Sequence, residues 1–587
     1  MFRSLILLGA LCLAPLAAHA SDSDERFVAL YEREWQWRLR EYPQLATAVG
    51  VHEYDHLLGH VDIKHQKARL GWLRNFRKQL ARLDTDKLSA THLVDHAIYV
   101  AQIDNAIASI ELGAYLLPMT SDSSFYADLT MLPDSHPRAT EADYRHYLQR
   151  LEGIPAYFEE HIALLEQGLK TGMTLPRVVL AGREAPIRAI AEHRDVLSGP
   201  FYAPFIAMPP SIPPATAEAL RGEAQRIIRT LVQPAYARLL TFFVERYQAG
   251  ARTTIAAYAL PQGEAYYRQQ IREFTTLDLT PEEIHRIGLD EVARIRAEMD
   301  QVMRDAKFDG DFAGFLRFLR SDPQFYAKTP RELLMHASYI AKHIDGLLPK
   351  YFSMLPRLPY GVAPVPAAIA PYYTSGRYNP APEGGKGAGF YWVNTWKLDA
   401  RPLYALPALT LHEAVPGHHL QGALASEQGG QPPFRRYSYI SAFGEGWALY
   451  AEHLGVEMGV YENPYEHFGR LTYEMWRAAR LVVDTGMHAK GWTRDQALAL
   501  LRDNTALSEH EISTEVDRYI SWPGQALSYK LGELKIRELR ARAEQQLGEH
   551  FDLRAFHDAV LALGSVPLPV LEQHIDRFIA ARRPTTP

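Results

Sequence analysis

The stretch Leu411 to Gly422, LHEAVPGHHLQG, puts three histidines and a carboxylate within eight residues: His412, Glu413, His418 and His419. Neutral imidazole nitrogens are good ligands for a borderline-soft ion, and a catalytic zinc site keeps one position open for water. Glu413, beside the first histidine, stands where a general base is needed. The familiar zinc-protease spacing is HExxH, which sets residues i and i+4 on one helical face. Here position i+4 is Pro416. On an undistorted helix His418 would lie about 9 Å along the axis and about 120° off the face of His412, and His419 about 10.5 Å along on the same face. Neither could share an ion with His412 unless the helix bulges or restarts. Pro416 has no N–H, and its ring clashes with the carbonyl four residues back, so it forces that distortion. Whether His418 or His419 is the inner ligand stays open at this level.

A third ligand is sought downstream in Tyr437 to Gly455, YSYISAFGEGWALYAEHLG. Glu445 and Glu452 share a helical face but sit about 10.5 Å apart, so only one can reach the ion. Glu445 is the expected ligand, because Gly444 and Gly446 beside it allow close approach. Further on, Arg480, Asp484 and His488 fall at i, i+4 and i+8 of RAARLVVDTGMH, and Tyr529 and Lys530 restart a segment after Pro523-Gly524. Tyr529 could donate its O–H to a developing oxyanion, and His488 could support or stabilise the reacting groups. Both are carried as catalytic candidates with Glu413.

The elements that must position these groups read as helices. Apolar residues recur at three and four residues over about 24–48, 63–83, 87–115, 140–170, 178–195, 215–249, 281–307 and 329–348. Between Pro356 and Trp396 prolines and then glycines dominate, and Ala367 to Tyr373 and Gly389 to Thr395 are the strand candidates. An edge strand at Phe390 to Asn394 would hold an extended peptide over the ion. The glycines around Lys386 are no phosphate loop, since neither Ser nor Thr follows that lysine. The scattered histidines His56, His60, His65, His92 and His96 read as surface or capping groups, with His92 and His96 as one spacing that could bind metal.

Residues 1–20, with Arg3, an apolar run from Leu5 to Leu16 and Ala18-His19-Ala20, read as a cleavable secretory signal. The only cysteine of the 587-residue chain, Cys12, falls inside it. Leu11 precedes Cys12 where a lipid-attachment site wants a small residue, which favours a periplasmic or secreted protein over a lipoprotein. The processed chain would hold no thiol, which excludes disulfides and cysteine nucleophiles and leaves His and carboxylates as ligands. With 63 basic and 69 acidic side chains, a net charge of −6 and no run of like charges, nucleic acid is not an expected partner. No segment reads as a membrane span.

HEAVPGHHLQ, EGWALYAE, RLVVDTGMHAKGW and PGQALSYKLG together resemble the bacterial family known as domain of unknown function 885, which is similar to gluzincin-type zinc metallopeptidases. The likeness covers most of the chain after the leader and is sharpest from about Tyr372 to Gly532. It implies a mostly α-helical, metallopeptidase-like fold with a deep cleft and a small β element before the zinc helix. It also implies a metal site of His412, His418 and Glu445, with Glu413 as base. The expectation is therefore a signal peptide over 1–20, a helical region over 21–270 and a zinc-binding catalytic region over 271–587. The expected function is zinc-dependent hydrolysis of peptide bonds in short peptides. The alternative is a catalytically silent helical binding protein with a structural zinc site, which would have no use for an unligated Glu413.

Overall fold

Asp62, Ser89, Thr140, Thr280 and Thr329 each precede an apolar run, and each side chain accepts a backbone N–H from the first turn of the helix that follows. Such caps satisfy donors that have no partner inside the helix, and this fixes where these helices start. Thr140 and Thr280 complete the reciprocal box with Asp143 and Glu283. The structure, a computed structural model, describes residues 22–367, 370–381 and 387–583. The leader read at 1–20 and Gly384, Gly385 and Lys386 lie outside the described residues.

The chain is mostly α-helical with one small sheet. The N-terminal helices include Asp22–Glu41, Ile63–Leu80, Ala90–Glu111, Glu141–Glu152, Ile154–Thr171 and Pro214–Ile227. The expected 140–170 helix is two, because Pro155 starts a second helix directly after Gly153. The expected 178–195 helix shrinks to Ala185–Ala191. Seven C-terminal helices carry the site: α1 (Pro281–Asp305), α2 (Leu406–Glu413), α3 (His418–Glu427), α4 (Ser441–Glu457), α5 (Pro464–Ala489), α6 (Glu509–Ser521) and α7 (Ser528–Leu547).

Helix α5 is the axis of this half, with a continuous buried stretch from Phe468 to His488. A helix buried all round must be packed on every side. On one flank Gly288 of α1 lets the two helices touch, because a Cβ there would come within 2.8 Å of Leu481 and Val482 side-chain atoms. Helices α4 and α7 meet in the same way at Gly446 and Gly532, whose backbones leave no room for a side chain. One large apolar core runs from Met119 to Ala526, and a second joins Phe27, Phe76 and Tyr99 to Trp447, Ile536 and Ile575. Both cores draw on distant parts of the sequence, so the N-terminal helices buttress the helices that hold the site.

The sheet has three strands, β1 (Tyr360–Pro364), β2 (Gly376–Asn379) and β3 (Gly389–Val393), in the order β1-β3-β2. Strand β3 runs parallel to β1 and antiparallel to β2. This corrects the expectation of an edge at Phe390 to Asn394: β3 forms where expected, but it is the central strand with both edges paired. Of the other candidate, Ala367 to Tyr373, residues 368 and 369 lie outside the described residues and Ala370–Tyr372 is a short 3₁₀ turn; the flanking strands β1 and β2 carry a proline, glycines and an Asn that masked their β character.

Candidate metal centre

Helix α2 is buried at all eight positions and delivers His412 and Glu413 in its last turn. Ala414 leaves the helix at φ −97° and ψ −103°, and α3 restarts at His418. The break is bonded internally: Gly417 N–H donates to Leu411 O (3.0 Å), His419 N–H to Ala414 O (3.1 Å) and Trp447 Nε1–H to Pro416 O (2.8 Å). Only glycine fits at 417, where a Cβ would collide with the carbonyls of Leu411 and His412. The turn swings His418 back beside His412, with ring centroids 4.8 Å apart and planes at 89°.

Helix α4 brings Glu445 to the same point. Its Oε2 lies 3.6 Å from His412 Nε2 and 3.4 Å from His418 Nε2. Ligand atoms of these three residues lie within 4.8 Å of one another. Tetrahedral ligands on bonds of about 2.1 Å stand about 3.4 Å apart, so the donor set and its spacing fit a zinc ion. Electrostatics agree. Burial opposes a charge on His412, yet Glu445 and Glu452 outweigh it and hold the imidazole up at about 10. Burial likewise opposes a charge on Glu445, and His418 and His412 overcome it, leaving the carboxyl well below its usual range. Carboxylates gathered this densely around two imidazoles call for positive charge.

Glu452, seven residues after Glu445, is on the other side of the same ring, with Oε1 2.7 Å from His412 Nδ1. That is the carboxylate partner that fixes a ligand histidine's tautomer. Glu413 is nearly buried at 8% exposure, and its Oε2 accepts the Tyr378 N–H at 2.7 Å. That amide points out of the free edge of β2, so the sheet aims the carboxylate without ligating it. His419 turns away: Nδ1 meets the Tyr378 hydroxyl at 3.1 Å, the ring packs 4.6 Å from Tyr360, and burial pushes it down to about 4. The structure thus brings His412, His418 and Glu445 together and leaves His419 outside.

These groups line a cleft of about 2070 Å³. Tyr529 lines it too, its ring 4.2 Å from the Arg480 guanidinium. His488, expected as a catalytic group, is a correction. It is fully buried away from the cleft, with Nδ1 accepting the Ala257 N–H (3.1 Å) and Nε2 against Tyr519 O (2.9 Å), and burial lowers it to about 4. Because α5 is buried all round, its i, i+4, i+8 stripe meets three different neighbours rather than one site. Arg480 pairs with Glu515 at 2.8 Å, and Asp484 accepts the Tyr267 hydroxyl at 2.5 Å and the Gly524 N–H at 3.2 Å. Lys530, next to Tyr529, points the other way, 2.9 Å from each of Glu291, Glu474 and Glu533. The glycines beside Glu445 also have another purpose than expected. Gly446 allows the α4–α7 contact, and Gly444 makes room for the Tyr439 ring.

Sequence reasoning missed Tyr439, whose hydroxyl donates to Glu445 Oε1 at 3.0 Å, and the positioning role of Tyr378. Tyr439 stands in the same YSYISAFGEG run as its partner, and that proximity was the available signal. His92 and His96 turn to Asp24 and Phe27 rather than to a common point. His60, Asp62 and His65 form another close group, but the two rings stack at 4.3 Å and 9°, which sets their lone pairs side by side instead of converging.

A family model described as bacterial protein of unknown function (DUF885) matches residues 43–575. Among solved structures, the chain is similar to that of a candidate lipoprotein from Colwellia psychrerythraea, at 28% identity and a TM-score of 0.87, covering 95% of this chain and 99% of that one. A candidate lipoprotein of unknown function from Shewanella oneidensis shares the fold at 20% identity and a TM-score of 0.68, covering 94% of this chain and 99% of that one. No curated protein matches the chain. Among the described residues no helix is long and apolar enough to cross a membrane.

Proposed function

This chain belongs to the bacterial protein family DUF885, and on that footing we propose that it is an extracytoplasmic zinc-dependent metallopeptidase acting on short peptides. One observation carries the reading. His412, His418 and Glu445 offer three ligand atoms around a point on the cleft wall, while Glu413 sits beside them, held by Tyr378 and free of ligation. A zinc ion bound there supplies Lewis acidity, polarising a carbonyl and making water more acidic. Glu413 is the group that takes the proton from the attacking water and returns it to the leaving amine. The Tyr378 N–H keeps one carboxylate oxygen fixed and leaves the other available. Glu452 keeps His412 in one tautomer, and Tyr439 does the same service for Glu445 by fixing its rotamer.

The outer edge of β2 is one of the two unpaired edges of the sheet, and Tyr378 lies both on it and in the cleft lining. An extended peptide adding to that edge would pass over Glu413, so backbone is read there more than side chains. Tyr529, across the cleft, is the hydroxyl offered to a developing oxyanion. A purely structural zinc site would favour four closed protein ligands. Here the three converging groups open on a large cleft.

The test is Glu413→Gln. The purified variant should bind one zinc per chain like the wild type, and its hydrolysis of a mixture of short peptides should fall by about 100-fold or more. Full activity in the variant would move the base elsewhere, and a zinc-loaded wild-type chain that cleaves no peptide would end the proposal.

A further inference from the structure

Ten arginines and lysines against seven aspartates and glutamates line the cleft, in a chain whose net charge is −6. Three of the ten, Arg401, Arg477 and Arg480, are themselves buried, at 8%, 4% and 2% exposure, and share the cleft wall with Glu511 and Glu515. Arg477 and Arg480 lie one turn apart on α5 and both stack on Trp476, at 4.3 and 4.4 Å. Both also face the Tyr529 ring, at 6.0 and 4.2 Å. Arg401 joins them from the segment before α2, bonded to Ser375 Oγ at 3.0 Å, on the side where Ser375 also bonds Glu511.

Each of these guanidiniums is incompletely paired. Arg480 gives Nη2 to Glu515 and Nε to the Tyr519 hydroxyl, both at 2.8 Å, but its buried Nη1 has no hydrogen-bond partner among the described residues. Arg477 gives Nη1 to Tyr473 O at 3.4 Å and reaches Glu452 only at 3.7 Å, and its buried Nε is likewise without a partner among the described residues. The same holds for Nε of Arg401. Leaving one buried charged donor unmet is costly, and three such donors on residues that line one cleft are not accounted for by packing. The cluster also touches the metal centre, since Arg477 approaches the same Glu452 oxygen that holds His412.

We propose that Arg401, Arg477 and Arg480 form an anion subsite that takes a carboxylate of the substrate and fixes its register against the metal centre. The inference rests on the peptidase reading and deepens it. A peptide offers two sources of that chemistry, its free C-terminal carboxylate and an acidic side chain. Planar guanidiniums stacked on aromatic rings hold carboxylates in a fixed direction, which gives the subsite its selectivity for peptides carrying the charge at the right distance.

The experiment measures binding apart from hydrolysis. The full-length zinc-loaded Glu413→Gln chain is titrated calorimetrically with N-acetyl-Ala-Ala-Ala as the free acid, with its C-terminal amide, and with N-acetyl-Ala-Ala-Glu amide. The free acid should bind about 10- to 100-fold tighter than the plain amide, the range for a charge-assisted hydrogen bond. Adding Arg477→Gln or Arg480→Gln should erase that preference while leaving the plain amide's Kd in place. If the Glu amide matches the free acid, the subsite reads an acidic side chain; if it matches the plain amide, the subsite reads the terminus. Equal affinity for all three peptides, binding of none, or a preference that survives both substitutions would overturn the subsite. Should Arg480→Gln fail to fold, Arg477→Gln and Arg401→Gln decide in its place. A free-acid preference in the Glu413→Gln chain, alongside a zinc-loaded wild-type chain that hydrolyses no peptide, would remove the peptidase reading and leave the subsite standing.

Discussion

Glu452 holds His412 from behind: its Oε1 lies 2.7 Å from Nδ1, while Nε2 of the same ring faces Glu445 at 3.6 Å. Two carboxylates seven residues apart on α4 therefore bracket one imidazole. On the proposed metal reading one ligates, and the other orients the ring and raises its basicity.

That division of labour predicts the outcome of Glu452→Gln. Zinc should still bind at one ion per chain, but with affinity lowered about 10- to 100-fold, the usual cost of losing such a partner. Glu445→Gln should be worse, abolishing stoichiometric binding. Competition with a chromogenic chelator measures both, and equal losses in the two variants would contradict the assignment.

Gly417→Ala should damage the metal centre from a distance. An added Cβ would collide with the Leu411 and His412 carbonyls, so the turn that swings His418 back has to open. Overpacking of this kind costs about 1–3 kcal/mol. Thermal unfolding should therefore shift downward, and zinc should be lost even though no ligand was changed.

The two strands flanking the site should respond differently to proline. Val393→Pro falls on the central strand, paired with Pro364 on one side and Gly376 on the other, and by deleting a main-chain N–H there it should lower stability by about 1–3 kcal/mol. Tyr378→Pro breaks no bond to β3 but removes the donor that aims Glu413. It should keep zinc and lower kcat/KM by about 10- to 100-fold, the scale of a misplaced catalytic group. Tyr378→Phe, which keeps the N–H, should retain most of the activity; a loss equal to that of the proline variant would show that the ring matters and the amide does not.

Acid should unfold the chain through its buried histidines. Burial lowers His161 to about 3 and His488 and His557 to about 4. Each folded value lies below the unfolded one near 6.5, so the unfolded chain binds more protons in between. The stability these groups contribute is complete above pH 6.5 and is lost as pH falls through the folded values, at about 1.4 kcal/mol per pH unit for each group. Denaturant titrations at pH 7, 6, 5 and 4 should show midpoints falling steadily, and His161→Phe should soften the slope. A flat profile to pH 4 would refute the linkage.

Helices were readable where amphipathic period and capping residues agree, as at Thr280-Pro281-Glu282-Glu283. The residues around the metal point were readable because HE, GHH and EGW bring unusual chemistry into short runs. What the sequence hid was long-range. Strand β3 sits between two partners up to some thirty residues before it, and nothing local distinguishes a central strand from an edge. His488 has a promising neighbour spacing, but on a helix buried all round spacing no longer predicts a shared face to the cleft. Tyr378 acts through its backbone amide, a role that leaves no mark on residue type.

The Gly446–Gly532 contact has a mechanical side. Because the backbones of α4 and α7 touch there, and Glu452 and Trp447 of α4 bond His412 and the turn after α2, Glu445, Tyr529 and His412 are carried by one rigid body. Spin labels at the exposed positions Val456 and Glu538, on the outer faces of α4 and α7, should report the same separation with and without a bound peptide. A ligand-dependent change in that distance would mean that the ligand helix itself moves, and that the geometry of the metal site is set only when substrate arrives.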